Sequence, residues 1–249
     1  PVPVDAASGF QVDRARLAAA TGAQTGAAIL ASPSNPTGTV LERAALTDLV
    51  AWAEDVGVAL VMDEIYQGLV YDAEAPSALE ITPELFVINS FSKYFGMTGW
   101  RLGWIVAPEQ HVAALDKLAQ NLFLAAPTPA QHAALAAFEP QTLAILEQRR
   151  EAFRERRDFL LPALRDLGFE IPVQPQGAFY IYADCSRFTD DSFGFCRRLL
   201  EEAGVAITPG LDFGDYQPET HVRFAYTTSL EQLKEGVRRL SAYLASGGD

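Results

Sequence analysis

Short apolar runs alternate with stretches of helical spacing through the first half of the chain. "AAILASPSN" predicts a strand that ends in a loop from Ser32 to Gly38. In "ERAALTDLVAWAEDVG" the apolar residues Leu46, Leu49, Val50 and Ala53 recur at helical spacing, and Gly57 closes the helix. "VALVMDEIY" predicts a short buried strand running into Asp63, and "LFVINSFSK" and "RLGWIVAP" predict two more. Strands that alternate with helical patterns predict an α/β fold, a mainly parallel sheet covered by helices.

Helical spacing continues over 108–123 and 128–138, then over 142–167, where Pro162 is expected to kink or interrupt the helix. The run "EQRREAFRERRDFL" reads as the solvated face of that helix, because acids alternate with its arginines. Beyond Gly168 the pattern becomes α+β. "GAFYIYADC", "VAITPG" and "HVRFAY" predict strands, "DSFGFCRRLLEEAG" a helix, and "SLEQLKEGVRRLSAYL" a closing helix capped by Ser229. A boundary near 139–145 follows, giving a large domain over 1–140 and a small C-terminal domain over 141–249. The sequence shows no internal repeat and no low-complexity linker.

With 249 residues, 49% hydrophobic and 20% charged, the chain can bury a substantial core. Its net charge of -13 opposes binding to nucleic acid or to an anionic membrane surface. No apolar run approaches the roughly 20 residues that span a bilayer, and "PVPVDAASGF" lacks the features of a signal peptide, so a soluble, cytoplasmic protein is expected. Cys185 and Cys196 are too few for a disulfide framework, and with three scattered histidines they offer no metal cluster. Two free thiols and no structural zinc are expected.

Singly, the polar residues at the strand ends have ordinary readings. "SPSNPTG" suits a strand-to-helix turn, Asp63 a loop-capping carboxylate, and Lys93 a solvated surface position. Their order changes this. Asn35, Asp63, Tyr66, Ser90, Ser92, Lys93, Arg101 and Arg223 all fall at or just past a predicted strand end, the edge where open α/β sheets bind ligands. Pattern alone reaches a strand-edge anion site containing a lysine. Trp100 and the remaining aromatics are expected in the core.

Taken together, "SPSNPTG", "DEIYQGLVY", "SFSKYFGMTGWRLG" and "VRFAY" resemble, in order, the motifs of the class I/II aminotransferases, pyridoxal-phosphate (PLP) enzymes of fold type I. The resemblance implies a large PLP-binding domain, incomplete at its N-terminus, followed by a small α+β domain. It also implies transfer of an amino group from an L-amino acid to a 2-oxo acid by a homodimer. Lys93 would supply the amine that forms an imine with the cofactor aldehyde and would later move the proton. Asp63 would stabilise the protonated pyridine nitrogen; two unit charges about 4 Å apart gain roughly 4 kcal/mol at an effective dielectric near 20. Tyr66, one helical turn beyond Asp63, and Asn35 would donate to the phenolic oxygen. Ser90, Ser92 and Arg101 would form the phosphate cup. Arg223, with Asn35, would bind the substrate carboxylate, and "PQGAFYIY", with Gly177, resembles the segment near the substrate entrance.

Members of this family are longer, and the part corresponding to what precedes Pro1 includes a phosphate-binding glycine loop and an aromatic that stacks on the ring. The motifs specify the cofactor more tightly than the reaction. A PLP-dependent lyase of the same fold, or an aminotransferase-like ligand-sensing domain of a transcription regulator, would carry them equally.

Overall fold

A computed structural model describes residues 1–247. The chain forms two compact units, one of residues 1–2, 13–34 and 40–150, the other of residues 3–12, 35–39 and 151–249. A single cut along the chain does not describe this division, because two short N-terminal segments belong with the C-terminal half.

The first unit begins with α1 (Arg14–Ala20), capped by the Asp13 carboxylate, which accepts from Arg16 N at 2.7 Å. Then follow β1 (Ala27–Ala31), α2 (Arg43–Val56), β2 (Ala59–Asp63), β3 (Phe86–Ser90) and β4 (Gly103–Val106), in the sheet order β1-β2-β3-β4. The first three strands are parallel and β4 runs antiparallel to β3. On α2, Leu46, Leu49, Val50 and Ala53 form the buried stripe that the spacing predicts, and Trp52 is buried beside them. Each large side chain so buried contributes about 1.5–3 kcal/mol. The helix stops at Gly57, whose φ of 69° lets its N–H reach back to Ala53 O and Glu54 O.

α3 (Glu109–Leu122) buries none of its residues, whereas α4 (Thr128–Ala137) packs Ala134 and Ala137 against Phe91. The expectation that Trp100 sits in the core is corrected here. It is 47% exposed, and Trp104 on β4 is 36% exposed. Ile29, Ile88 and Ile105 are also exposed, so these strands carry apolar side chains that no described element covers.

The second unit takes over within α5 (Pro140–Leu167) at Glu151. Pro162 lies inside this helix without ending it. Leu160, Leu161 and Leu164 are buried around that turn and hold it in place, which offsets the one backbone hydrogen bond the proline removes. The charged face of α5 is also less solvated than its composition suggests. Arg154 pairs with Glu151, but Arg157 is only 2% exposed and donates to Pro175 O at 3.1 Å and Asp158 Oδ1 at 2.8 Å.

Next come β5 (Tyr180–Asp184), α6 (Ser192–Arg198), which runs into a wider π turn over Leu199–Ala203, β6 (Thr208–Pro209), β7 (His221–Ala225) and α7 (Leu230–Ala245). The sheet is antiparallel in the order β5-β7-β6. As the central strand, β7 places Arg223 opposite Tyr182 on β5 and Thr208 on β6. Cys185 and Cys196 are free and buried, and burial pushes both thiols up to about 12, so they remain protonated at neutral pH.

Residues 3–12 and 35–39 join this unit through specific contacts. The Phe10 ring meets Tyr182 edge-on at 5.8 Å, and Gln11 Nε2 donates to Thr39 Oγ1 at 2.7 Å. Gly38 O accepts from both Gln176 N and Gly177 N at 2.8 Å. Gly38 has a φ of 68°, and a Cβ there would lie 2.6 Å from Pro175 Cβ and 2.7 Å from Gly177 O. Gly38→Ala is therefore expected to cost about 2 kcal/mol or more in urea unfolding. Gly22→Ala, where nothing lies within 4 Å, should change stability by well under that. Equal effects at the two positions would refute the close-approach account.

Candidate functional site

Parallel pairing of β1, β2 and β3 brings their C-terminal ends to one level. Asp63, the last residue of β2, is paired with Ala31 on one side and Ile88 on the other. Its carbonyl accepts from Ser32 N at 3.1 Å, and the next residue, Glu64, donates its N–H to Ile88 O at 2.9 Å. The Asp63 carboxylate accepts from Ile65 N at 3.0 Å and so shapes the turn that follows. Residues 64–69 form reverse turns closed by Gln67 N to Glu64 O and Leu69 N to Tyr66 O, so the expected helical turn between Asp63 and Tyr66 is absent. Tyr66 is buried all the same, and Lys93 Nζ lies 5.4 Å above its ring centroid.

Lys93 sits in a loop tied at several points. Phe91 N donates to Leu102 O, Met97 N to Phe91 O, and Gly96 N to Lys93 O. Phe91 and Phe95 anchor this loop by packing on Trp104 and Phe138. The neighbouring Tyr94 hydroxyl donates to Glu147 Oε1 at 2.6 Å, and Arg150 donates to Glu147 Oε2 at 2.7 Å and to Val70 O at 3.1 Å. Burial and the Glu147 carboxylate push the Tyr94 phenol up to about 12. Burial would raise the Glu147 carboxyl, but the hydrogen bonds from Tyr94 and Arg150 outweigh it and hold the group below its ordinary value. The lysine loop is thus fastened to the start of α5 by a charged hydrogen bond. Of its members, Glu147 and Arg150 carried no signal in the sequence beyond a charge run, and Tyr94 lay in the lysine motif with no role assigned.

Ser90 and Ser92 come together, with their hydroxyl oxygens 2.9 Å apart. Ser90 Oγ also donates to Leu102 O at 3.1 Å and accepts from Ser92 N at 3.0 Å. Arg101 adopts the left-handed conformation (φ 54°, ψ 50°), is exposed, and spends one N–H on Thr98 O at 2.9 Å. For a non-glycine residue that backbone is strained, a cost often found at ligand-binding turns.

Asn35 and Arg223, 188 residues apart in sequence, meet in the second unit, where Arg223 Nη1 donates to Asn35 Oδ1 at 2.7 Å. Nη2 donates to Thr208 Oγ1 at 3.3 Å, and Nε is buried without a partner. A guanidinium has five N–H donors, so the outer edge of the fork keeps donors for a planar anion. The first unit therefore holds a lysine, a carboxylate, a phenol, two hydroxyls and an arginine at its strand ends, and the second holds the Asn35–Arg223 pair.

Comparison with known proteins gives a consistent picture. A sequence profile described as "Aminotransferase class I and II" matches residues 1–240. The valine–pyruvate aminotransferase of Mycobacterium tuberculosis is 39% identical over 220 residues, which cover 88% of this chain and 57% of that protein. The aspartate/prephenate aminotransferase of Thermus thermophilus is 38% identical over 239 residues, covering 95% and 61%. Among solved structures, an aminotransferase from Mycobacterium tuberculosis superimposes with a TM-score of 0.94 at 37% identity, covering 98% of this chain and 64% of that one. An aspartate aminotransferase from Thermus thermophilus with maleate gives 0.90 at 38% identity, covering 97% and 63%. Both solved structures are fold type I, so the expected fold class is correct. The chain spans about three fifths of the length of these relatives.

Glu64, beside Asp63, is the buried carboxyl that the sequence gave no reason to single out. It accepts from Ala78 N at 2.7 Å and Ser77 Oγ at 3.2 Å, and burial raises its pKa despite those bonds. A raised folded-state pKa stabilises the fold below the ordinary carboxyl value, and that contribution is lost as pH rises through the folded value. Glu64→Gln removes this dependence. Thermal melts at about pH 5 and about pH 8 should show the variant gaining on the parent at the higher pH. An equal offset at both would contradict a buried, reluctant carboxylate.

Proposed function

Because the chain belongs to the class I and II aminotransferase family, we propose that it is the lysine- and carboxylate-binding portion of a PLP-dependent aminotransferase that moves an amino group from an L-amino acid to a 2-oxo acid. The observation that carries this reading is the 2.7 Å contact between Asn35 and Arg223, which joins two distant motifs in one carboxylate-binding edge.

The side chains present fit the cofactor. An amine, a carboxylate, a phenol and a hydroxyl–guanidinium set suit, in turn, an aldehyde, a protonated ring nitrogen, a phenolic oxygen and a phosphate. When bound, PLP supplies the aldehyde and a ring that withdraws electrons from the substrate α-carbon. Lys93 provides the amine and later carries the proton to and from that carbon, and the Phe91–Met97 loop fixes where its Nζ acts. Asp63, anchored by both neighbouring strands, holds the ring nitrogen protonated. Tyr66 donates its hydroxyl to the phenolic oxygen. Asn35 Oδ1 is taken up by Arg223, so the Asn35 amide N–H is its donor toward the cofactor. Ser90 Oγ has one proton to divide between Ser92 Oγ and Leu102 O, so the serine pair offers the phosphate no more than one free hydroxyl donor, and Arg101 supplies the rest.

The same reading makes the full-length protein a cytoplasmic homodimer, with 1–140 supplying most of the large domain and 141–249 most of the small one, apart from the two N-terminal segments that join the second unit. Exposed Val112, Leu118, Leu122, Phe123 and Leu124 on and just after α3 support a subunit contact, since apolar patches of this kind mark interaction surfaces. No helix among the described residues is long and apolar enough to cross a membrane.

Incubation of the full-length protein with PLP and then borohydride should add the mass of one cofactor to a peptide containing Lys93. Lys93→Ala should lose both this adduct and transamination. Asp63→Ala should keep the adduct while its turnover falls about a hundredfold or more. Normal turnover by Lys93→Ala would sink the proposal.

A further inference from the structure

The surroundings of Arg223 go beyond the two residues that name its role. Its guanidinium carbon lies 4.1 Å from the Tyr180 ring centroid and 4.6 Å from that of Phe213, over the face of each ring. Tyr180 is buried on β5, diagonal to Arg223, and half-buried Phe213 follows the short turn Gly210–Asp212. Arg238 and Arg239 in the same unit both pair with Glu235. Arg223 instead has an amide, a hydroxyl and two aromatic faces for neighbours, and no described carboxylate pairs with it.

From this we infer that Tyr180 and Phe213 are positioning residues for carboxylate binding, an inference that rests on the reading of Arg223 as the carboxylate anchor. Asn35 and Thr208 fix the guanidinium by its edge, and the two rings fix its plane. An aromatic face attracts a cation without neutralising it and keeps water from the surface it covers. The full charge therefore stays available to an incoming anion. The side chain is ordered on folding, so less freedom is lost when substrate arrives. A carboxylate in place of either ring would hold Arg223 as firmly but would compete with the substrate.

The test is a calorimetric titration of the full-length protein with propanoate, a carboxylate that carries no amino group to react and is short enough to need no side-chain pocket. Phe213→Leu and Tyr180→Leu should each weaken binding roughly fivefold. The ring-keeping variants Phe213→Tyr and Tyr180→Phe should restore affinity to within about twofold. In turnover with an amino acid donor, KM should rise with the dissociation constant while kcat changes less. Leucine variants that bind propanoate like the parent, or ring-keeping variants that lose as much as the leucine ones, overturn the inference. Phe213 is only half-buried, so Phe213→Leu decides the matter even if Tyr180→Leu does not fold. Arg223→Gln separates the two levels. Unchanged propanoate binding in that variant refutes the anchor itself, whereas lost binding there with unaffected leucine variants refutes only the role of the rings.

Discussion

The parallel register of β1, β2 and β3 is the constraint from which the chemistry of the first unit follows. Parallel strands present their C-terminal ends on one edge, and a residue at such an end is held by backbone bonds from both sides while its side chain is released into a loop. Asp63 is in this position. Ser32 N binds its carbonyl, and Glu64 N binds Ile88 O just beyond it, so the two neighbouring strands share the load of placing one carboxylate. A slip of one residue in β2 would turn Asp63 to the other face of the sheet and Met62, fully buried, toward the loop. The apolar stripe of α2 and the buried Leu60 and Met62 oppose that slip, so ordinary core packing sets the position of a reactive group.

The strand that follows solves a different problem. A lysine has a long, flexible side chain, so a rigid base matters more for it than for Asp63. β4 returns antiparallel to β3 and brings Leu102 O beside Phe91 N and Ser90 Oγ, closing the Lys93 loop at its root. Phe91, Phe95, Trp104 and Phe138 weight the loop from one side, and Tyr94 ties it to Glu147. Gly96 permits this geometry with a φ of 68° and no Cβ, since one there would lie 2.6 Å from the Arg149 guanidinium.

Much of this was legible in the sequence, for reasons that differ by element. Strands such as "VALVMDEIY" and "HVRFAY" are short, apolar and bounded by polar residues, and α2 has a clean stripe ending at Gly57, so local pattern was sufficient. Other features depend on partners far along the chain. Nothing in "RLGWIVAP" states that β4 runs against β3, and nothing in "RERRDFL" marks Arg157 as the arginine that leaves solvent for Pro175 O. Pro162 does not interrupt its helix, because helix propensity is local, whereas the buried leucines that hold its turn owe their burial to tertiary packing. At the candidate site, motif order pointed to the side chains but not to what they touch. Tyr180 lay in a segment already noticed for its glycine and Thr208 in the predicted strand "VAITPG", while Phe213 had no periodicity or motif to mark it.

Arg223 shows why contacts matter more than identity at such a position. The chain carries a net charge of -13, so carboxylates are plentiful, and most arginines whose contacts are resolved pair with one. Exposed pairs of that kind contribute little, typically below about 1 kcal/mol, and their loss is tolerated. A half-buried guanidinium without a counter-charge is a different matter, because its Nε is desolvated with no hydrogen-bond partner and its charge is left uncompensated. Such an arrangement lowers the stability of the folded chain unless something else favours it. Neutral partners on the edge and aromatic faces above the plane reduce the cost without removing the charge, so the site stays attractive to an anion. What remains unpaired in the free protein is the part of Arg223 that a carboxylate would complete.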